Sequence, residues 1–244
     1  MAFAPHRDQL ALMEVAQLDA QINKIQTQLE NHPGKAQLAT VDAEIEQIDT
    51  QIAAIGQEIR AAEEEVQSWE QKANQSSALI AEKMQKLHSG AGMDSRMLVA
   101  LQTEIAQGKE LLEKQEAAAL AVLEKIDAAE LRLQELDNAA KEAREKRQGI
   151  ALQFQAAIEE LQTEKIQIEE ARAALYQPLA PDLQAAYQRS QASGGLSVIG
   201  LHPDGTSTGG IQLSPMEVAA VRAANREEIY LSEEYECIVV VLDS

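Results

Sequence analysis

The side chains able to do chemistry in this chain are few, and their spacing decides what they can do. Histidines occur only at His6, His32, His88 and His202, and the single cysteine is Cys237. A zinc site needs such groups at short, regular intervals, and these are scattered along the sequence. No glycine-rich phosphate cradle and no H-E-x-x-H pair occurs. The run Glu63-Glu64-Glu65 reads as the solvated face of a helix. Lys141, Arg144, Lys146 and Arg147 form the one basic cluster, interleaved with Glu142 and Glu145 and lacking aromatics to stack on bases. That pattern favours a surface ion-pair ladder over a nucleic-acid patch. Glu233, Glu234, Tyr235 and Glu236 set acid around an aromatic ring. This segment is a candidate contact for a basic partner; the alternative is a polar turn between two strands. No catalytic residue is assigned, and an enzyme is not expected, because two paired helices rarely enclose a water-excluding site.

The elements that carry these residues follow from apolar periodicity. From Leu98 to Leu175 an apolar residue recurs at alternating three- and four-residue steps for about eleven heptads. Gly108, Gln115, Arg147 and Glu164 interrupt it. A 3.5-residue repeat held that long requires a supercoil around a partner helix. An earlier seam runs through Val15, Leu18, Ile22, Ile25 and Leu29, breaks at His32-Pro33-Gly34, and resumes at Leu38 through Ile59. Proline removes a backbone donor there, and the phase slips across the break. A second break, Ser89 to Ser95, contains two glycines and the helix-capping candidates Asp94 and Ser95. Similar lengths on either side predict an antiparallel hairpin whose tip lies near Gly90. Folding there sets residue i opposite about 183 − i, so Pro33 would face Ile150 and Gly149.

After Pro178 the texture changes. Asp182 to Gln191 reads as a short helix and Ser193-Gly194-Gly195 as a linker. Strands are expected over 196–201, 228–231 and 237–242, with a further short one at 211–213. Ser214-Pro215-Met216-Glu217 is a capping box that opens a helix to Ala224. The expected organisation is a coiled-coil hairpin over 1–177, a short helix and linker over 178–195, and a small α+β domain over 196–244. The fold class is mainly α.

Composition narrows the function classes. The chain has 244 residues, only 3% aromatic, and a formal net charge of −19. Repulsion of that size argues against nucleic acid and against an anionic membrane surface. One cysteine excludes an intramolecular disulfide, Met1 to Arg7 does not resemble a secretory signal, and no membrane span is seen. A cytoplasmic protein is expected.

Several of these segments resemble a bacterial family of coiled-coil hairpin proteins that end in a C4-type zinc ribbon. The likeness is carried by Leu18-Asp19, Lys86-Leu87-His88-Ser89-Gly90, Leu98, Leu101-Gln102, Glu104-Ile105, Asp182-Leu183 and Tyr187. In the ribbon it is most similar to actinobacterial versions, through Leu213, Glu217, Val218, Val221, Arg222, Ala224, Glu228 and Ile229. The resemblance puts the four metal-ligand positions at Thr206, Gly209, Ser232 and Tyr235, none of which can stand for a thiolate. It therefore implies a ribbon that has kept its fold without metal, and no cofactor. Structural zinc supplies about 10–16 kcal/mol in small ribbons. Compensation is expected from Ile238 to Leu242 and from docking near Tyr187.

The expected function is a non-enzymatic adaptor or chaperone-like protein-binding protein, monomeric or homodimeric, with a protein partner. The resemblance implies partners such as transcription or secretion machinery in some relatives, and no residue of this chain identifies one. A self-associating rod is the alternative, and nucleic-acid binding through Arg144 and Arg147 is a third reading that demands steep salt dependence.

Overall fold

A computed structural model describes residues 2–90, 92 and 94–243. Ala91 and Met93, within the expected tip, lie outside the described residues, as do Met1 and Ser244. The elements in order are α1 (His6–Glu30), α2 (Pro33–Ser89), α3 (Ser95–Tyr176), α4 (Pro181–Ala192), β1 (Val198–Leu201), α5 (Pro215–Ala223), β2 (Tyr230–Leu231) and β3 (Ile238–Val241). The protein is mainly α, with long helices forming a hairpin and a small C-terminal sheet. By contacts the chain divides into two units. One comprises 1–35 with 152–244, the other 36–151.

In the second unit α2 and α3 run antiparallel. Val66, Val122 and Ile126 are buried together, with Ile59, Ala62 and Trp69 packed against them. Asp94 caps α3, its Oδ1 accepting the Met97 N–H at 2.8 Å. The register differs from the expected one by more than a helical turn. Asp42 meets Arg147, where folding about Gly90 would bring Lys141. The pairing thus centres nearer the start of α3 at Ser95 than Gly90.

Each interruption of the α3 seam has a physical account. A Cβ at Gly108 would come 3.0 Å from Ile80 Cγ1, so glycine admits a close approach. Gln115 is buried with its Oε1 unbonded. Arg147 turns outward to Asp42. Glu164 is exposed beside the break at Asn31–Pro33, where the opposing helix is interrupted.

In the first unit the break between α1 and α2 is organised by local bonds. His32 Nδ1 accepts the Gly34 N–H at 3.1 Å, and Lys35 Nζ donates to Glu30 O at 2.7 Å, satisfying an end carbonyl of α1. Phe154, not Gly149, fills the opposing space. A Cβ at Gly34 would lie 2.6 Å from the Phe154 ring, which packs against His32 with centroids 5.0 Å apart.

The C-terminal lobe, residues 196–243, is built on a sheet of order β1-β3-β2, with β1 parallel and β2 antiparallel to β3. Alternation along β3 separates two cores. Ile238 and Val240 face Leu12 and Val15 of α1 and Leu183, Ala186 and Tyr187 of α4. Cys237 and Val239 face Ile199, Leu201 and Val221. A full burial of such a side chain is worth about 1.5–3 kcal/mol, so β3 and its docking on the α1 and α4 helices anchor the lobe.

Two lobe expectations need correction. Ile211 to Leu213 is not a strand: Ser207 Oγ donates to Ile211 O and Tyr235 OH donates to Gln212 O, so side chains take the acceptors a strand partner would use. At α5 only half the capping box forms. Ser214 Oγ accepts the Glu217 N–H at 3.2 Å, while Glu217 Oε1 is buried without a partner. A further pairing had no sequence signal. Ala4 N–H donates to Glu227 O and Ile229 N–H to Ala2 O, laying the N-terminal segment antiparallel to the run into β2.

Candidate partner-binding surface of the C-terminal lobe

Glu233, Glu234, Tyr235 and Glu236 form the turn between β2 and β3. Its closure explains why the acids stand outward. Ser232 N–H donates to Cys237 O at 2.8 Å, Glu236 N–H to Ser232 O at 3.0 Å, and Tyr235 N–H to Ser232 Oγ at 3.3 Å. Glu236 takes a left-handed backbone, φ 53°, which costs a non-glycine residue about 1–2 kcal/mol. The three glutamates are exposed and Tyr235 is half-buried. Its hydroxyl reaches Gln212 O at 3.3 Å, and nearby carboxylates of Glu234 and Glu217, after desolvation, hold its pKa up.

The other positions that the resemblance would assign to metal ligands are bonded or packed locally. Thr206 donates through its N–H and its Oγ1 to Asp204 Oδ1 at 2.9 and 2.7 Å. Gly209 has φ 78°, and a Cβ there would lie 2.8 Å from Leu196 Cδ1. Among the described residues no group of three or more His, Cys, Asp or Glu is placed to hold a metal ion.

A G-x-S-x-G spacing, expected to be absent from this chain, does occur. Gly205-Thr206-Ser207-Thr208-Gly209 has the G-x-S-x-G spacing of a hydrolase nucleophile turn. That motif works when a strained serine sits between a strand and a helix. Ser207 instead has ordinary extended geometry, φ −118°, and its hydroxyl is spent on Ile211 O. The segment runs into a single turn of 3₁₀-helix, Thr208–Gly210. The match is one of spacing alone.

The basic cluster lies elsewhere, in the helical unit, and its charges face acids of α2. Arg144 Nη2 meets Asp49 at 2.6 Å, Lys146 meets Glu44 at 3.5 Å, and Arg147 pairs with Asp42 through two nitrogens. No pairing of Lys141 is found among the described residues. These pairs are about half exposed, so each adds little alone, but together they favour one register.

Beneath the lobe lies a bonded hub that the sequence only hints at. Asp19 Oδ2 accepts from Tyr187 OH at 2.7 Å, Gln191 Nε2 at 2.9 Å and Arg172 Nη2 at 3.1 Å, and Oδ1 accepts from Arg172 Nε. One carboxylate thus ties α1, α3 and α4 together. A groove of about 400 Å³ beside it is lined by Asn23, Gln191, Gly194, Leu196 and Ser197.

Burial, then the hydrogen bond to Asp19, push the Tyr187 phenol above its ordinary value, and burial lifts the Cys237 thiol to about 11. Both groups are held protonated by the fold and ionise more readily in the unfolded chain. Their stabilisation is therefore complete below about pH 8, and falls as pH rises through the ordinary thiol and phenol values toward the raised ones. Urea midpoints followed by circular dichroism are expected to drop between pH 8 and pH 11. An unchanged midpoint would contradict the burial of these two groups. Cys237→Ala should remove the earlier part of the fall.

Residues 15–195 match the model of the CT398-like coiled coil hairpin domain. The chain belongs to that family. Leu18-Asp19, Asp182-Leu183 and Tyr187 lie inside the matched span, and in this chain Asp19 and Tyr187 meet in the hub while Leu183 is buried in the core. A solved protein from Mycobacterium smegmatis has the same fold, with TM-score 0.84 and 18% identity over 99% of this chain and 100% of that one. CT398 from Chlamydia trachomatis gives TM-score 0.70 and 16% identity over 97% and 98%. HP0958 from Helicobacter pylori gives 0.51 and 16% over 99% of each. At these identities the likeness is one of fold. No curated protein matches the chain.

Proposed function

We propose that this CT398-like protein is a non-enzymatic adaptor or chaperone-like binding protein. In this reading its lobe is a metal-free relative of a zinc ribbon and docks a basic segment of a protein partner. The hairpin acts as the rigid support. The observation that carries the reading is the division of charge: Arg144, Lys146 and Arg147 are engaged by acids of α2, whereas Glu233, Glu234 and Glu236 stand exposed on a closed turn around Tyr235. The paired arginines weigh against a phosphate-binding role.

The test is capture of crosslinked partners from the native cell by the full chain and by Glu233→Lys/Glu234→Lys. A specific partner lost from the reversed variant supports the reading. A partner retained at full yield moves recognition to the hairpin. The alternative of a self-associating rod draws on Leu131, Leu152 and Ile166 of α3, which share one heptad position and are exposed. A mass that doubles with concentration in sedimentation would favour it.

A further inference from the structure

A ribbon of this family type is closed by a metal bridging two turns, and the residues here do not fit one. Each of the four positions has been taken over by another contact. Thr206 bonds Asp204. The space a side chain at Gly209 would need is filled by Leu196. Ser232, only 2% exposed, uses its hydroxyl oxygen to accept the Tyr235 N–H, an internal bond of the second turn. Tyr235 reaches out of that turn to Gln212 O, just beyond the first. The nearest thiol, Cys237, is fully buried against Ile199, Leu201, Val221 and Val239. A zinc ion would find no thiolate, and would have to break these bonds to gain any ligand.

We infer that the Tyr235 side chain, spanning from the second turn to Gln212, closes the lobe in place of a metal, so that its acidic surface is formed whether or not zinc is available. The biological consequence rests on the reading of that surface as a docking site; the structural claim stands apart from it. Two further features carry the closure. Tyr235 packs, with Ile211 and Leu213 from the first side, on the core around Cys237 and Val239. The turn also keeps the left-handed residue at Glu236 that lets its backbone bonds form. The half-buried phenol therefore supplies both an apolar body and a polar tip.

The experiment uses the full chain, produced in zinc-supplemented medium and passed over no chelating resin. Zinc is measured by elemental mass spectrometry, and thermal unfolding is followed by circular dichroism with and without EDTA. The expected result is well under one zinc per ten chains and no EDTA shift, with the Tyr235→Phe variant melting about 2–4 °C lower. Tyr235→Ala should melt lower still; if it fails to fold, the phenylalanine variant alone decides. Stoichiometric zinc, a melting point lowered by EDTA, or an unmoved Tyr235→Phe would each overturn the inference. None of these readings depends on a partner. Loss of capture by the Glu233/Glu234 variant with a zinc-free, chelator-insensitive chain would uphold both claims, and retained capture would sink only the docking reading.

Discussion

Replacing Asp19 by alanine is expected to lower the stability of the unit formed by residues 1–35 and 152–244 by about 3 kcal/mol. The size follows from what the carboxylate leaves behind. Tyr187 is 1% exposed, so its hydroxyl loses its one acceptor at a largely buried site, and the Arg172 guanidinium, partly buried, loses both its acceptors. Asp19→Asn retains the shape and one accepting oxygen, and should cost about half as much. The two units can be read separately. Trp69 is the single tryptophan and belongs to residues 36–151, while Tyr176, Tyr187, Tyr230 and Tyr235 all belong to the other unit. In a Trp69→Phe background tyrosine emission reports the first unit; in the natural chain tryptophan emission reports the second. The Asp19 variants should move the tyrosine transition strongly and the tryptophan transition little. A tyrosine midpoint unchanged within error would show that the hub is ornamental.

The second large effect is expected at Leu12. This residue is fully buried, in the same core cluster as Val15, Leu183, Tyr187, Ile238 and Val240, where α1, α4 and the sheet come together. Leu12→Ala removes its burial and leaves a cavity walled by rigid elements, a combination worth about 3–4 kcal/mol. Because β3 packs on this site, the amide signals of Val198–Leu201 and Ile238–Val241 should lose dispersion before the helices lose ellipticity. Loss of helix and sheet signals together, at one denaturant concentration, would refute the idea that Leu12 acts at the joint to the lobe.

The hairpin was legible in the sequence because a heptad seam is a long, redundant signal. Single departures from it were visible as departures, yet their meanings were not. Gly108, Gln115 and Arg147 look alike as gaps in a pattern, while in space one admits Ile80, one is buried with an oxygen unbonded, and one reaches Asp42. Register was missed for a similar reason: periodicity fixes which face is buried and leaves the sliding of one helix along another to the loop. In the lobe, strands rich in β-branched residues were readable, as was the Ser214 cap. Ile211–Leu213 misled because its backbone acceptors are claimed by Ser207 and Tyr235, and no local pattern announces such bonds. The candidate turn at Glu233–Glu236 was visible by composition. The Asp19 hub was visible only as motif residues, since its partners lie far apart along the chain.

That distance has a kinetic meaning. Residues 36–151 are contiguous in sequence, so the partners within this unit are made close together in time. Helix α1, synthesised first, must wait for α4 and for β3, and β3 is the central strand that joins β1 to β2 though it is made after both. At about 5–20 residues per second, the interval between Leu12 and Leu183 leaving the ribosome is about 10–30 s. For that time Leu12 and Val15 face water or a chaperone. The contacts of α1 with α4 and β3 therefore close only after the intervening helices have been made.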